Sequence, residues 1–300
     1  MKALLQKSCK NCTESSVQTY FYNINALARL AGHEDPPKHG RWINKQLLAK
    51  IRRLPLMKFK NMTIAGVKAL KAYNLKNEEW AKAMSNATER YNKERDKQKR
   101  TPREAQNWPK NGYKSLSKLA GELHREVKHL FNKAPAHVTF PELWRMARWF
   151  IILFYSKHAL RGDLGDIRIS KKGQNYIEKK SGKWNMHVGQ HKTVRAHGPI
   201  ELLLDPEVDK ALDKDLPYVR AKTKHGYLLS TKRYGNKLTR KDMMQMIRTT
   251  TKDYLGKNIG IQMIRVLKTT EHFKSIDESA QLRGELAHGP SMQWKYVSRA

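Results

Sequence analysis

The chain is poor in acid. Against 60 lysines and arginines it sets 27 aspartates and glutamates, a formal net charge of +33 over 300 residues. Such an excess opposes compaction unless an anionic partner neutralises it. Cysteine is scarcer still, with only Cys9 and Cys12. One CxxC supplies half a zinc site at most, and no second pair or paired histidines complete it. The two are expected as reduced thiols in a mobile N-terminus, and so few in a chain this size suit a reducing compartment. No apolar run is long enough to span a bilayer, and the N-terminus lacks the charged start and apolar core of a secretion signal. There is no internal repeat, no low-complexity segment and no carboxylate cluster of the two-metal type.

What is present is basic charge spread along the whole length, not gathered on one amphipathic helix. That pattern suits a protein that neutralises many phosphates, with released counterions supplying affinity. Nucleic acid is therefore the expected partner, ahead of a membrane surface. The length allows two domains, each with its own core.

Periodicity organises the chain. Residues 1–14 read as a polar, poorly ordered start. Ser15 or Ser16 caps a helix with Val17, Tyr20, Phe21, Ile24, Leu27 and Ala28 on one face. A second helix runs from about Ile43 to Pro55, a third from Thr63 to Tyr73, and a fourth from Asn77 through Trp80 and Met84. The fourth continues into the charged run Arg90 to Arg103, read either as a solvated face or as a linker lying along DNA. Residues 15–105 thus form a small, basic, all-helical module, and 106–300 a second domain. That domain opens with a helix carrying Leu116, Leu119, Leu123, Val127 and Leu130. Thr139-Phe-Pro-Glu142 is a capping box. The helix it starts is apolar on nearly all sides and should be buried centrally. Short strands are expected at Ile167 to Ile169, Asn175 to Lys179, Trp184 to Gly189 and Pro199 to Leu204. Helices follow from Pro206, from the box Thr239-Arg-Lys-Asp242, and over Ile259 to Thr270 and Ile276 to Leu286. The fold class is mainly α with a small β-sheet: a helical domain plus a mixed α+β domain.

A few residues stand apart chemically. Arg161 sits where the most buried helix ends and must find a partner, Asp163 or Asp166. Lys192 lies in the turn Gln190-His191-Lys192-Thr193. Arg265 is a charge inside the apolar run Ile261-Gln262-Met263-Ile264-Arg265-Val266-Leu267. His288 occupies a Leu-Ala-His-Gly-Pro turn, and Tyr296 follows one helical run later.

In this order and spacing the set resembles the tyrosine recombinase family of phage-integrase-like enzymes. Arg161 falls at that family's first arginine and Arg265 at its second. Val188-Gly-Gln-His-Lys192-Thr193 followed by Gly198-Pro199-Ile200 looks like its β-hairpin with the catalytic lysine. Leu286-Ala-His288 matches its Leu-Gly-His turn, and Tyr296 its nucleophile. The likeness extends to residues 15–105, which look like the family's core-binding domain. Three positions depart from the pattern. Gln262 stands where histidine is usual, Leu164 where an acid is usual, and the step from His288 to Tyr296 is one residue short. A glutamine amide can still donate to a phosphate oxygen, but it carries no proton or charge.

The resemblance implies a site-specific recombinase or integrase. It would cut and rejoin double-stranded DNA through a 3′-phosphotyrosyl intermediate, without metal or cofactor, as a homotetramer on DNA. Arg161, Arg265, His288 and Gln262 would hold the phosphate, Lys192 would protonate the leaving oxygen and Tyr296 would attack. The rivals are a type IB topoisomerase-like nicking and resealing enzyme and a DNA-binding protein impaired in catalysis. The expected setting is cytoplasmic or nuclear, in a mobile element or a large DNA virus.

Overall fold

The computed structural model describes residues 1–9, 12–273, 280–287 and 296–298. The chain divides into two compact units, Met1–Lys97 and Gln98–Ala300. Among the described residues no helix is long and apolar enough to cross a membrane.

The first unit is helical: α1 (Lys2–Ser8), α2 (Glu14–Leu30), α3 (Lys45–Ile51), α4 (Leu56–Ala72) and α5 (Glu78–Asp96). Side-chain oxygens set three of the starts. Thr13, Asn44 and Asn77 each accept from the backbone N–H of a residue in the first turn, which satisfies donors a helix otherwise leaves orphaned. The core centres on Trp80, fully buried, whose indole donates to the Asn44 carbonyl at 3.2 Å. Gly66 on α4 makes this possible, because a Cβ there would lie 2.2 Å from the Trp80 ring.

Three sequence expectations are corrected in this unit. The N-terminus is not an unstructured tail: α1 forms, and Leu5 is buried in the core of the unit. A seven-residue helix is marginal alone, and burial of Leu5 supplies what propensity lacks. Cys9 and Cys12 are bridged, not reduced; Cys9 caps α1, and the turn in which Cys12 N–H donates to the Cys9 carbonyl at 2.9 Å brings the Cα atoms to 5.4 Å. Pro55 ends no helix but caps the start of α4, which therefore begins seven residues before Thr63. The fixed φ of proline suits the beginning of a helix, where its missing N–H costs nothing.

The second unit is mainly helical with a small sheet, as expected. It comprises α6 (Pro102–Asn107), α7 (Lys114–Val127), α8 (Phe140–Lys157), β1 (Asn175–Lys180), β2 (Lys183–Val188), α9 (Val194–His197), β3 (Ile200–Leu203), α10 (Pro206–Lys222), α11 (Arg240–Leu255), α12 (Ile261–His272) and α13 (Ala280–Leu286). Most of the charged run is helical. Arg90–Asp96 belong to α5, and Thr101 with Glu104 forms a capping box that starts α6. Thr139 and Glu142 do the same for α8. Residues 149–156 of α8 are buried without interruption, so this helix is central to the unit. It packs against α7, α10 and α11. The sheet is antiparallel in the order β1-β2-β3, with Val188 opposite both Asn175 and Ile200. The expected strand Ile167 to Ile169 is reduced to isolated bridges from Arg168 to Tyr176 and Tyr227.

Candidate active site

Arg161 leaves α8 four residues beyond its end and is anchored from behind. The Tyr155 hydroxyl, on a buried ring, donates to the Arg161 carbonyl at 2.7 Å. In front, Arg161 Nη1 donates to Thr193 Oγ1 at 2.6 Å. Neither aspartate holds Arg161 as expected. Asp163 meets Arg240 at 2.8 Å, and Asp166 meets Arg240 and, at 2.7 Å, Lys237. The reason is the turn over Gly162–Asp166, which packs on the start of α11. A Cβ at Gly165 would lie 3.1 Å from the Arg240 Cα. Burial holds the Asp163 carboxyl above its usual value, while the charges of Arg240, His191 and Arg161 pull it the other way.

Thr193 belongs to the segment between β2 and β3. The Asn175 side chain brackets this segment, accepting from Gln190 N–H at 2.8 Å and donating to the Gln190 carbonyl at 3.0 Å. His191 is buried, and its Nε2 donates to the Gly198 carbonyl at 2.8 Å. Its Nδ1 faces the Thr193 hydroxyl at 3.4 Å. The same hydroxyl lies 3.4 Å from the Ala287 carbonyl. Lys192, between them, is exposed and forms no hydrogen bond or ion pair with the described residues. The turn is broader than the sequence suggests, because the single helical turn α9 intervenes before β3.

Arg265 is 2 % exposed, one of the largest fully enclosed side chains in the chain. Its Nη2 donates to the Leu286 carbonyl at 2.6 Å. Its guanidinium carbon lies 5.1 Å from the centre of the Tyr296 ring. The Tyr296 hydroxyl donates to Gln262 Oε1 across 3.5 Å. Ser298 N–H donates to Thr270 Oγ1 at 2.9 Å, tying the same terminal segment to α12. Burial pulls the Arg265 pKa down to about 10; Tyr296 opposes the shift, the positive charge of Arg161 adds to it, and Asp163 opposes it. Two guanidiniums close enough to repel form a place where an anion is favourable.

Of the six residues singled out in the sequence, Gln262 and Arg265 both face Tyr296. Arg161 joins them through its field on Arg265 and through Thr193. Lys192 is adjacent to Thr193 in sequence but its side chain makes no contact with the group. His288 lies outside the described residues. The sequence reading passed over Thr193, His191 and Tyr155. Their one signal was position: Thr193 and His191 flank Lys192, and Tyr155 stands six residues before Arg161, on the last turn of α8. No group of three His, Cys, Asp or Glu side chains among the described residues is gathered to hold a metal ion.

No protein-family model matches the sequence, and no curated protein matches it. Among solved structures the chain is similar to the crystal structure of XerA recombinase, at 13% identity and a TM-score of 0.45, over 100% of this chain and 92% of that one.

Proposed function

We propose that this protein is a DNA strand-exchange or integration enzyme that works through a phosphotyrosyl intermediate. The observation that carries the reading is a buried guanidinium, Arg265, under the Tyr296 ring, with a second arginine, Arg161, near enough to depress its pKa. Paired guanidiniums suit the non-bridging oxygens of a phosphodiester and the extra charge of its pentacoordinate transition state.

The step balances as follows. Tyr296 releases its phenolic proton to solvent, and its oxygen attacks phosphorus. The bond from phosphorus to the 5′ oxygen breaks, a 3′-phosphotyrosyl ester forms, and the leaving 5′ oxygen takes a proton from Lys192. Attack by a 5′-hydroxyl of a second strand reverses the step and reseals the backbone. One ester replaces another, so no nucleotide hydrolysis is required. Gln262 supplies an amide to the phosphate or the tyrosine, and His288 a further donor. In this reading the helical first unit is a DNA-binding domain, the substrate is duplex DNA, and the assembled form is a homotetramer on it.

The test is covalent trapping. A library of duplexes with randomised sequence, each nicked so that a short 5′-hydroxyl fragment escapes after cleavage, is incubated with the protein in EDTA. Denaturation-resistant protein–DNA adducts are then recovered and sequenced. The reading expects an enriched site, full yield in EDTA and no adduct from Tyr296→Phe. An adduct that survives Tyr296→Phe, or a strict magnesium requirement, overturns it. Binding without any adduct favours a DNA-binding protein instead, and relaxation of supercoils without joining of two partners favours a topoisomerase.

A further inference from the structure

Glu285 performs no chemistry in the reading above, yet it is among the most heavily engaged side chains of the second unit. It is 10% exposed. Its Oε1 accepts from Ala159 N–H at 2.8 Å and faces His158 Nδ1 at 3.3 Å. Its Oε2 accepts from Lys268 Nζ at 2.7 Å, and Lys268 also donates to the Lys157 carbonyl. The Asp205 backbone N–H donates to His158 Nε2 at 3.0 Å. A backbone N–H can only donate, so the imidazole proton sits on Nδ1, toward Glu285. Burial alone would raise the carboxyl, but His158 and Lys268 outweigh it and hold the group below the usual glutamate value. One carboxylate thus ties together the end of α8, the middle of α12 and the end of α13.

Each of these ties runs on into the arginine site. Two residues after Ala159 comes Arg161. Three residues before Lys268, about one turn of α12, comes Arg265. The residue after Glu285 is Leu286, whose carbonyl receives Arg265. Next is Ala287, whose carbonyl faces the Thr193 hydroxyl that accepts from Arg161. The carboxylate is thus linked to both guanidiniums through these neighbours.

The geometry points to Glu285 as a positioning residue that holds α8, α12 and α13 in the arrangement where Arg161 and Arg265 address one phosphate. The inference rests on the phosphodiester reading of the site. Its physical basis is that a buried carboxylate has no second way to satisfy Ala159, His158 and Lys268 at once. Displacing a catalytic group by about 1 Å costs on the order of 100-fold in rate. An ion pair that merely stabilised the fold would be indifferent to the charge on the phosphate. A residue acting through the guanidiniums is not.

The experiment compares two forms of the duplex recovered by trapping, one with the natural scissile phosphate and one with a neutral methylphosphonate there. Glu285→Gln should cut the natural duplex about 100-fold more slowly than the unsubstituted protein, with DNA affinity unchanged. On the neutral duplex the gap should shrink to a few-fold, because the charge the arginines neutralise is gone. Arg265→Ala should show the same charge-selective defect. An equal lag of Glu285→Gln on both duplexes overturns the inference. Should Glu285→Gln melt early, the pair Glu285→Leu with Lys268→Met removes both charges together. Natural-duplex cleavage by that pair at the unsubstituted rate also overturns it. The two levels separate cleanly. Arg265→Ala selective and Glu285→Gln not selective sinks the positioning role alone, whereas Arg265→Ala as active as the unsubstituted protein sinks the phosphodiester reading and the positioning role with it.

Discussion

Among the described residues of the first unit the buried side chains are apolar apart from Thr63, whose hydroxyl donates to the Lys60 carbonyl at 2.9 Å within its own helix. The second unit encloses Asp163, Asp215 and Arg265 at 1–2 % exposure, and the cluster of Glu285, Lys268 and His158 at 8–12 %. The contrast is one of purpose. Buried charges rarely stabilise a fold over well-packed apolar groups, since desolvation consumes most of the Coulomb gain. A domain that keeps them is holding geometry for something else. Here most of them lie around Arg161, Arg265 and Tyr296, and the exception is Asp215. Its Oδ1 finds no hydrogen-bond partner among the described residues, and burial alone pushes its pKa up to about 7.

The largest expected effect would break the contrast at the charged end. Arg265→Ala should lower covalent adduct formation by about 1,000-fold while far-ultraviolet circular dichroism stays the same. Arg265→Lys should not restore activity, because a point charge cannot replace a planar fork. A loss of folding instead would show that the guanidinium is structural. At the apolar end, Trp80→Ala should cost about 3–5 kcal/mol in stability, read by urea denaturation of the whole chain.

Asp215 tests whether every enclosed charge in the second unit serves the site. Its carboxyl is neutral in the folded state up to about pH 7, while in the unfolded chain it ionises near pH 4. The folded state therefore binds the extra proton, and stability falls as pH rises from about 4 to about 7, then levels. Asp215→Asn should be more stable than the unsubstituted chain by a few kcal/mol at pH 8 and show little gain at pH 4, with cleavage unchanged. A cleavage defect would bring Asp215 into the functional group. The smallest effect expected is that of Gly66→Ala, which forces a methyl against the Trp80 ring. Overpacking of this kind costs about 1–3 kcal/mol, and a neutral result would mean that α4 and α5 part easily.

Much of the fold was legible because local chemistry and burial agree. The capping box at Thr139 forms in full, and at Thr239 the threonine oxygen accepts from the Asp242 N–H as expected while the Asp242 carboxylate takes the Thr239 hydroxyl. The largely apolar run from Leu143 to Tyr155 became the buried α8, and the change of period after Asp166 announced the sheet. Where local signals were weak, tertiary contacts decided. Lys2–Ser8 is too short to hold a helix by itself, and a core position for Leu5 made it one. Ile167 to Ile169 has the β-branched ends of a strand, but only single bridges reach it. At the site, order along the chain named Arg161, Lys192, Gln262, Arg265, His288 and Tyr296 as candidates. It gave no warning that Asp163 and Asp166 would go to Arg240 while Arg161 turned to Thr193.

The sequence by itself determined the charge excess, the helical character and the capped starts. Those properties follow from composition, periodicity and spacing, which are local. The tertiary structure alone decided which carboxylates pair with which cations and that Arg161 stands near enough to act on Arg265. It also decided that the Tyr296 ring lies over Arg265 and that Glu285 ties α8, α12 and α13. A buried charge takes whichever partner the packing of distant segments brings within hydrogen-bond reach, and sequence separation carries no record of that choice.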